Sequence, residues 1–179
     1  MIQITNTLFL ESIKISDQDK LFNLMHQIYP PAYKHLWQNE DCNWYLDHCF
    51  SKENLKSELS EIDTIYCFVN YNSNRIGIIR ILHNTCIDGL EEKNATFIHR
   101  IYLSNETQGI GIAKQLFNWI ELQTIKKGNK RLWLKAMDTQ NQALKFYEKE
   151  GFEIINKTRL DFKLIHENLR GMVTMQKII

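Results

Sequence analysis

The run Asn105-Glu106-Thr107-Gln108-Gly109-Ile110-Gly111-Ile112-Ala113-Lys114 joins two segments of different period. Before it, Ala95–Leu103 is rich in β-formers and reads as a strand. After it, Ala113, Leu116, Phe117 and Ile120 fall at i, i+3, i+4 and i+7, so the chain from Gly109 to about Lys127 reads as a helix stopped by Gly128. Gly109 and Gly111 allow a ligand to approach the backbone closely, and a helix start offers free N–H groups and a positive dipole end. Such a turn suits an anion, and a pyrophosphate fits it best. A dinucleotide fingerprint would need a third glycine where Lys114 stands, and a ribose-binding acid after the helix, where 126–130 offers none. The Gly-Lys-Ser/Thr of a phosphate-gripping Walker loop is absent. At this level an ordinary helix start with glycine in the turn remains the alternative.

Working outward, the chain alternates short strands and helices. Leu8–Ile15 reads as a strand. Ser16 and Asp17 supply capping chemistry for a helix carrying Leu21, Leu24, Met25 and Ile28, which Pro30-Pro31 should end. Trp44–Phe50 and a segment capped by Ser51 read as two further helices. Tyr66–Tyr71 and Arg75–Leu82 read as a hairpin turning at Asn72-Ser73-Asn74, and Asn84–Lys93 as a polar loop. Arg131–Met137 is a short apolar strand, Gln140–Glu150 a helix, and Phe152–Phe162 and Met172–Ile179 two closing strands. The fold class expected is α/β, with a mixed, mostly antiparallel sheet of about six or seven strands flanked by helices. No repeat or linker divides residues 1–179, so one domain is expected.

Composition narrows the function classes. The chain has 179 residues, 22 basic and 21 acidic, a balance that argues against nucleic acid as a partner. Residues 1–63 hold ten acids against five bases, so the acidic and basic halves differ in the ions they would attract. No apolar run approaches a bilayer span, and no signal peptide is evident. Cys42, Cys49, Cys67 and Cys86 form no C-x-x-C pair. They read as reduced packing residues of a cytoplasmic protein, and no metal-ligand spacing appears.

Two strings together carry a resemblance. Gln108-Gly109-Ile110-Gly111-Ile112-Ala113 matches the [QR]-x-x-G-x-[GA] motif of the GNAT superfamily of acetyl-CoA-dependent N-acetyltransferases. Ala143 to Phe152, read A-L-K-F-Y-E-K-E-G-F, matches that family's A-x-x-F-Y-x-x-x-G-F segment at the expected distance downstream. The order of elements fits along nearly the whole chain. Within the superfamily the sequence looks most like bacterial spermidine/spermine acetyltransferases of the PaiA type, through Arg100–Leu103, Tyr45–Leu59 and Leu169–Lys177.

The resemblance implies a fold splayed around the motif strand, loop and helix, and direct acetyl transfer from acetyl-CoA to a primary amine. It places the cofactor on the amides of Gln108, Gly109, Ile110, Gly111, Ile112, Ala113 and Lys114, and beside the main chain of Ile101, Tyr102 and Leu103. It makes Tyr147 the general acid, although a plain core tyrosine is the alternative. Many relatives carry Glu where this chain has His99, so His99 is the candidate base or a strand histidine without a chemical role. Gln140 stands where relatives often have a cofactor-contacting Asn, with Asn141 one place later. Strand alternation puts Phe97, His99 and Ile101 on one face and Ile98, Arg100 and Tyr102 on the other. Tyr33, Trp37 and Trp44, with Tyr29 and Tyr45, are candidates to line an acceptor pocket among Glu40, Asp41 and Asp47. A polyamine or other small amine leads as acceptor, a protein N-terminus or lysine follows, and a silent acyl-CoA sensor stays open because of His99. Family analogy also suggests a homodimer.

Overall fold

The computed structural model describes residues 1–87 and 93–179. Among these lie eight strands and five α-helices. The strands are β1 (Ile2–Gln3), β2 (Leu8–Ser12), β3 (Thr64–Tyr71), β4 (Asn74–Thr85), β5 (Ala95–Leu103), β6 (Arg131–Met137), β7 (Glu153–Arg159) and β8 (Gly171–Ile178). The helices are α1 (Gln18–Tyr33), α2 (Asn43–Cys49), α3 (Lys52–Ser60), α4 (Ile112–Lys126) and α5 (Asn141–Lys149). All eight strands form one sheet in the order β1-β2-β3-β4-β5-β6-β8-β7. Every neighbouring pair is antiparallel except β5 and β6. The expected sheet type is correct, and β1 supplies a strand beyond the expected six or seven. No helix among the described residues is long and apolar enough to cross a membrane.

Helices cover both faces of the sheet. On one, Ile79, Ile81, Ile98 and Leu134 pack against Leu116, Phe117 and Ile120 of α4. On the other, Phe68 and Ile78 pack against Leu21 and Met25 of α1, Leu46 of α2 and Leu55 of α3. Burying an apolar stripe of each helix on a sheet face is the main stabilising term for such layers.

Several boundaries differ from the sequence reading. α1 continues through Pro30 and Pro31 to Tyr33. The two prolines forfeit two ladder bonds, but their φ suits a helix, and the last turn stacks Tyr29 on Tyr33 with centroids 4.7 Å apart. Ser16 caps nothing. Ile15–Asp17 is a 3-10 turn, and the Asp17 carboxylate accepts from the Lys14 N–H and from Lys20 Nζ. Ser51 does cap α3, its Oγ accepting from the Asn54 N–H. The β3–β4 turn has Asn72 and Ser73 both at positive φ, a two-residue primed turn that matches strand twist. Asn84 and Thr85 belong to β4 rather than to a loop, and residues 88–92 of the expected loop lie outside the described residues. The helix expected from Gly109 begins at Ile112. The strand expected over 152–162 ends at Arg159, freeing residues 160–170 to cross the sheet and bridge Trp37 to Ile165.

The most consequential feature is a fork. β5 and β6 pair only from Ala95↔Arg131 to Ile98↔Leu134. Beyond that, β5 stays with β4 as far as Leu103↔Gly77, while β6 stays with β8 as far as Met137↔Met172. At the mouth, β4 hugs β5 so closely that a Cβ on Gly77 would run into the Tyr102 carbonyl oxygen. The neighbouring atom is backbone and cannot swing away. Gly77→Ala should therefore cost about 1–3 kcal/mol as an overpacking change, read by urea denaturation; an unchanged midpoint would show that β5 can retreat freely.

Candidate active site

The motif loop ends in Gly111, whose φ of 82° places it in the left-handed region that favours glycine, and it caps α4. The Gln108 N–H is taken by the Asn105 carbonyl, and the Gln115 N–H returns to Gly111. Among the described residues, the six amides between them, Gly109 to Lys114, find no acceptor in the chain. A Cβ built on either Gly109 or Gly111 meets nothing within 4 Å, so the space beside both glycines is open. Six free donors at a helix start, beside open space, suit a polyanion. Gln108 thus contributes a closed turn rather than a free amide.

Two cavities occupy the fork. The smaller, about 420 Å³, runs along Ile101, Tyr102 and Leu103 to Gly109, Gly111 and Lys114. The larger, about 520 Å³, lies between the N-terminal helices and the crossing segment and is lined by Tyr29, Trp37, Trp44, Tyr45, Phe162 and others. They share Tyr33, Ile101, Tyr102, Gln140, Ala143 and Tyr147. Gln140, Ala143 and Tyr147 reach the junction together because helical spacing puts them on one face of α5 and its cap. Asn141 is exposed and lines neither cavity, so of the two amides only Gln140 meets the groove. The Ile110 side chain is also exposed and apart from both.

Tyr147 packs near Phe117 and Phe152, with its phenol at the junction. Burial, with a smaller contribution from Tyr33, holds it above the usual phenol range. It keeps its proton at neutral pH, as a proton donor must.

Strand alternation fails at His99. The pairs Arg80↔Arg100 and Ile81↔Ile98 leave His99 as an extra, bulged residue. Ile98 and Ile101 consequently share the α4 face, while Arg100 and Tyr102 face the N-terminal helices. The bulge turns His99 into the larger cavity, where its Nδ1 meets Arg80. Burial first, then Arg100 and Arg80, push its pKa down to about 3. His99 is uncharged at neutral pH, and an Nδ1 facing a guanidinium leaves the ring proton on Nε2.

Behind the cavity wall lies an ionic cluster that the sequence reading did not assemble. Glu58 of α3, 6% exposed, holds Arg100 Nη1 at 2.5 Å with both oxygens and lies 3.8 Å from Arg80. Arg80 also pairs with Glu61 at 3.0 Å. Removing one partner of such a buried set costs about 3–5 kcal/mol. The signal was a charge inside each apolar strand run, Arg80 in Ile79–Leu82 and Arg100 in Ile98–Leu103.

The aromatic set is a real cluster. Tyr29 stacks on Tyr45 at 4.9 Å, Tyr45 and Tyr102 share a hydroxyl contact at 3.0 Å, and Phe162 lies 5.7 Å from Trp37 and 4.9 Å from Trp44. Phe162 and Asp161, from the crossing segment, were not anticipated; their loop carries no motif. The acids expected around the pocket line neither cavity. Glu40 pairs with Lys34 at 2.8 Å, Asp47 lies 3.7 Å from His26, and Asp41 accepts from the Asn43 N–H. None of the four cysteines is paired in a disulfide, and no cluster of metal-ligating side chains occurs among the described residues.

Comparison with known proteins bears on this arrangement. The profile of the acetyltransferase (GNAT) family matches residues 19–152. An uncharacterized N-acetyltransferase in the pepI 3′ region of Lactobacillus delbrueckii subsp. lactis is 24% identical over 112 residues, which span 63% of this chain and 65% of that protein's length. The PaiA N-acetyltransferase of Thermoplasma acidophilum, solved in complex with coenzyme A, superposes with a TM-score of 0.73 at 21% identity, covering 97% of this chain and 99% of that one. RimL, a ribosomal L7/L12 alpha-N-protein acetyltransferase also solved with coenzyme A, reaches 0.75 at 14% identity, covering 99% and 97%. At these identities the structural likeness is one of fold.

The buried histidine gives a pH signature. The unfolded chain protonates His99 near pH 6.5 and the folded chain only near pH 3. Unfolding therefore takes up a proton between those values, and stability falls as the pH drops through the window. Relative to His99→Gln, the wild type should lose about 1 kcal/mol between pH 7.5 and 5.5, measured by urea unfolding; parallel pH profiles for the two proteins would place His99 in water.

Proposed function

The chain belongs to the acetyltransferase (GNAT) family of acetyl-CoA-dependent acyltransferases, and from that premise we propose that it acetylates a small primary amine by direct transfer at the junction of the two cavities. The observation that carries this reading is the pair of cavities meeting at Tyr147, one bordered by free amides and the other by aromatic rings.

On this reading the amides of Gly109, Ile110, Gly111, Ile112, Ala113 and Lys114 hold the diphosphate of acetyl-CoA, and the main chain of Ile101, Tyr102 and Leu103, released from β6, borders its arm. Gln140 takes the place of the amide contact that relatives make with Asn. Acetyl-CoA supplies an activated acetyl thioester. The protein's part is to bring an amine past Tyr33 and Tyr102 to the junction, to hold it at attack distance, and to exclude bulk water by aromatic packing. Tyr147 donates its phenolic proton there to the departing sulfur. His99, neutral and already facing Arg80, does not store the amine's proton. We assign it to the cavity wall, where Nε2 orients the water that accepts the proton.

The acceptor class is open to a polyamine or another small amine, with a protein α-amine second. The larger cavity is walled by the N-terminal helices on one side and the crossing segment on the other, a shape that favours a small molecule over a polypeptide. A silent acyl-CoA sensor would bind coenzyme A without turnover. Steady-state thiol release over an amine panel separates these readings.

Two substitutions test the assignment. Tyr147→Phe should lower kcat by about 100-fold or more while the Kd for coenzyme A changes less than about twofold; an undiminished kcat would remove Tyr147 from the chemistry. Gly111→Val should weaken coenzyme A by about tenfold or more, because a branched residue resists positive φ and its side chain fills the open space beside the amides. Calorimetry showing wild-type affinity would move the diphosphate elsewhere.

A further inference from the structure

Resting on the acetyltransferase reading above, we infer that the acceptor carries a single positive charge on an aromatic or apolar body, and that the cavity discriminates against polycations.

The argument is a census of charge on the cavity wall. Among the described residues, Asp161 is the one carboxylate that lines the larger cavity. Two cations, Arg100 and Lys135, line it as well. Arg100 is already neutralised by Glu58 behind the wall, and the Lys135 ammonium lies 5.8 Å from the Trp133 ring centroid. His99 adds no charge at neutral pH. The other acids nearby are engaged outside the cavity: Glu40 with Lys34, Asp47 with His26, Asp41 with the α2 backbone and Glu61 with Arg80. The wall therefore offers an incoming amine one carboxylate, that of Asp161.

A trication such as spermidine would bring three ammonium groups to one carboxylate. Each ammonium beyond the first would be stripped of water without a counter-charge, and that loss is not repaid by Coulomb attraction. A monocation meets the opposite situation. Tyr29, Tyr33, Trp37, Tyr45, Tyr102 and Phe162 offer ring faces and edges, which hold one ammonium by its charge and an aryl or alkyl body by burial. The volume of about 520 Å³ is ample for an arylalkylamine.

The test is thiol release by the full chain with saturating acetyl-CoA, comparing 2-phenylethylamine and hexylamine with spermidine, spermine and a short peptide bearing a free α-amine. The better monoamine should exceed both polyamines and the peptide in kcat/KM by about tenfold or more. Spermidine or spermine matching the monoamines would overturn the single-charge inference and leave the transferase reading standing, and so would a preference for the peptide. Thiol release with no amine at all, while calorimetry shows coenzyme A bound, would overturn the transferase reading and this inference with it.

Discussion

Two adjacent parallel strands stop pairing after four residue pairs, and the candidate site is built in the gap this leaves. Parting strands ordinarily expose backbone donors and acceptors at a cost. Here each arm keeps a second neighbour, β4 for β5 and β8 for β6, so only the groups facing the gap lose a partner. Those groups, with the amides of Gly109–Lys114 at the start of α4, form a continuous strip of unmet main-chain polarity. The strip needs a polar, extended ligand, and this is why the fork and the motif loop act as one feature.

The opposite side of the fork is made differently. It is roofed by side chains from α1, α2 and the segment between β7 and β8, and its cohesion comes from rings packed on rings. The ionic cluster of Glu58, Arg80, Arg100 and Glu61 fastens α3 to the middle of the sheet just behind. It also bears on His99: burial first, and then the two guanidiniums beside the ring, keep it neutral. The bulge and the cluster together set a neutral imidazole in the cavity wall beside a buried guanidinium paired with Glu58.

Much of the fold was legible because its signals are local. The helix after Gly111, the hairpin at Asn72-Ser73 and the Ser51 cap depend on side-chain period, positive φ and one short hydrogen bond, all properties of neighbouring residues. The errors have a common origin in packing at a distance. The prolines in α1 read as a stop because nothing local shows Tyr33 resting edge-on against Tyr102. The alternation in β5 was misplaced because a bulge is defined by its partner strand, and β4 lies many residues earlier.

Residue order alone sets a glycine turn between strand and helix with donors left free, and puts Ala143 and Tyr147 on one side of α5, since backbone geometry settles both within a few residues. Which charges see the cavity depends instead on packing between distant segments. Glu40 and Asp47 sit among the pocket aromatics in sequence, yet they turn to Lys34 and His26, while Asp161 arrives from the far end of the chain through the bridge between Trp37 and Ile165. A side chain's partner is set by what folding brings within a few ångströms of it, and residue order alone carries no such distance.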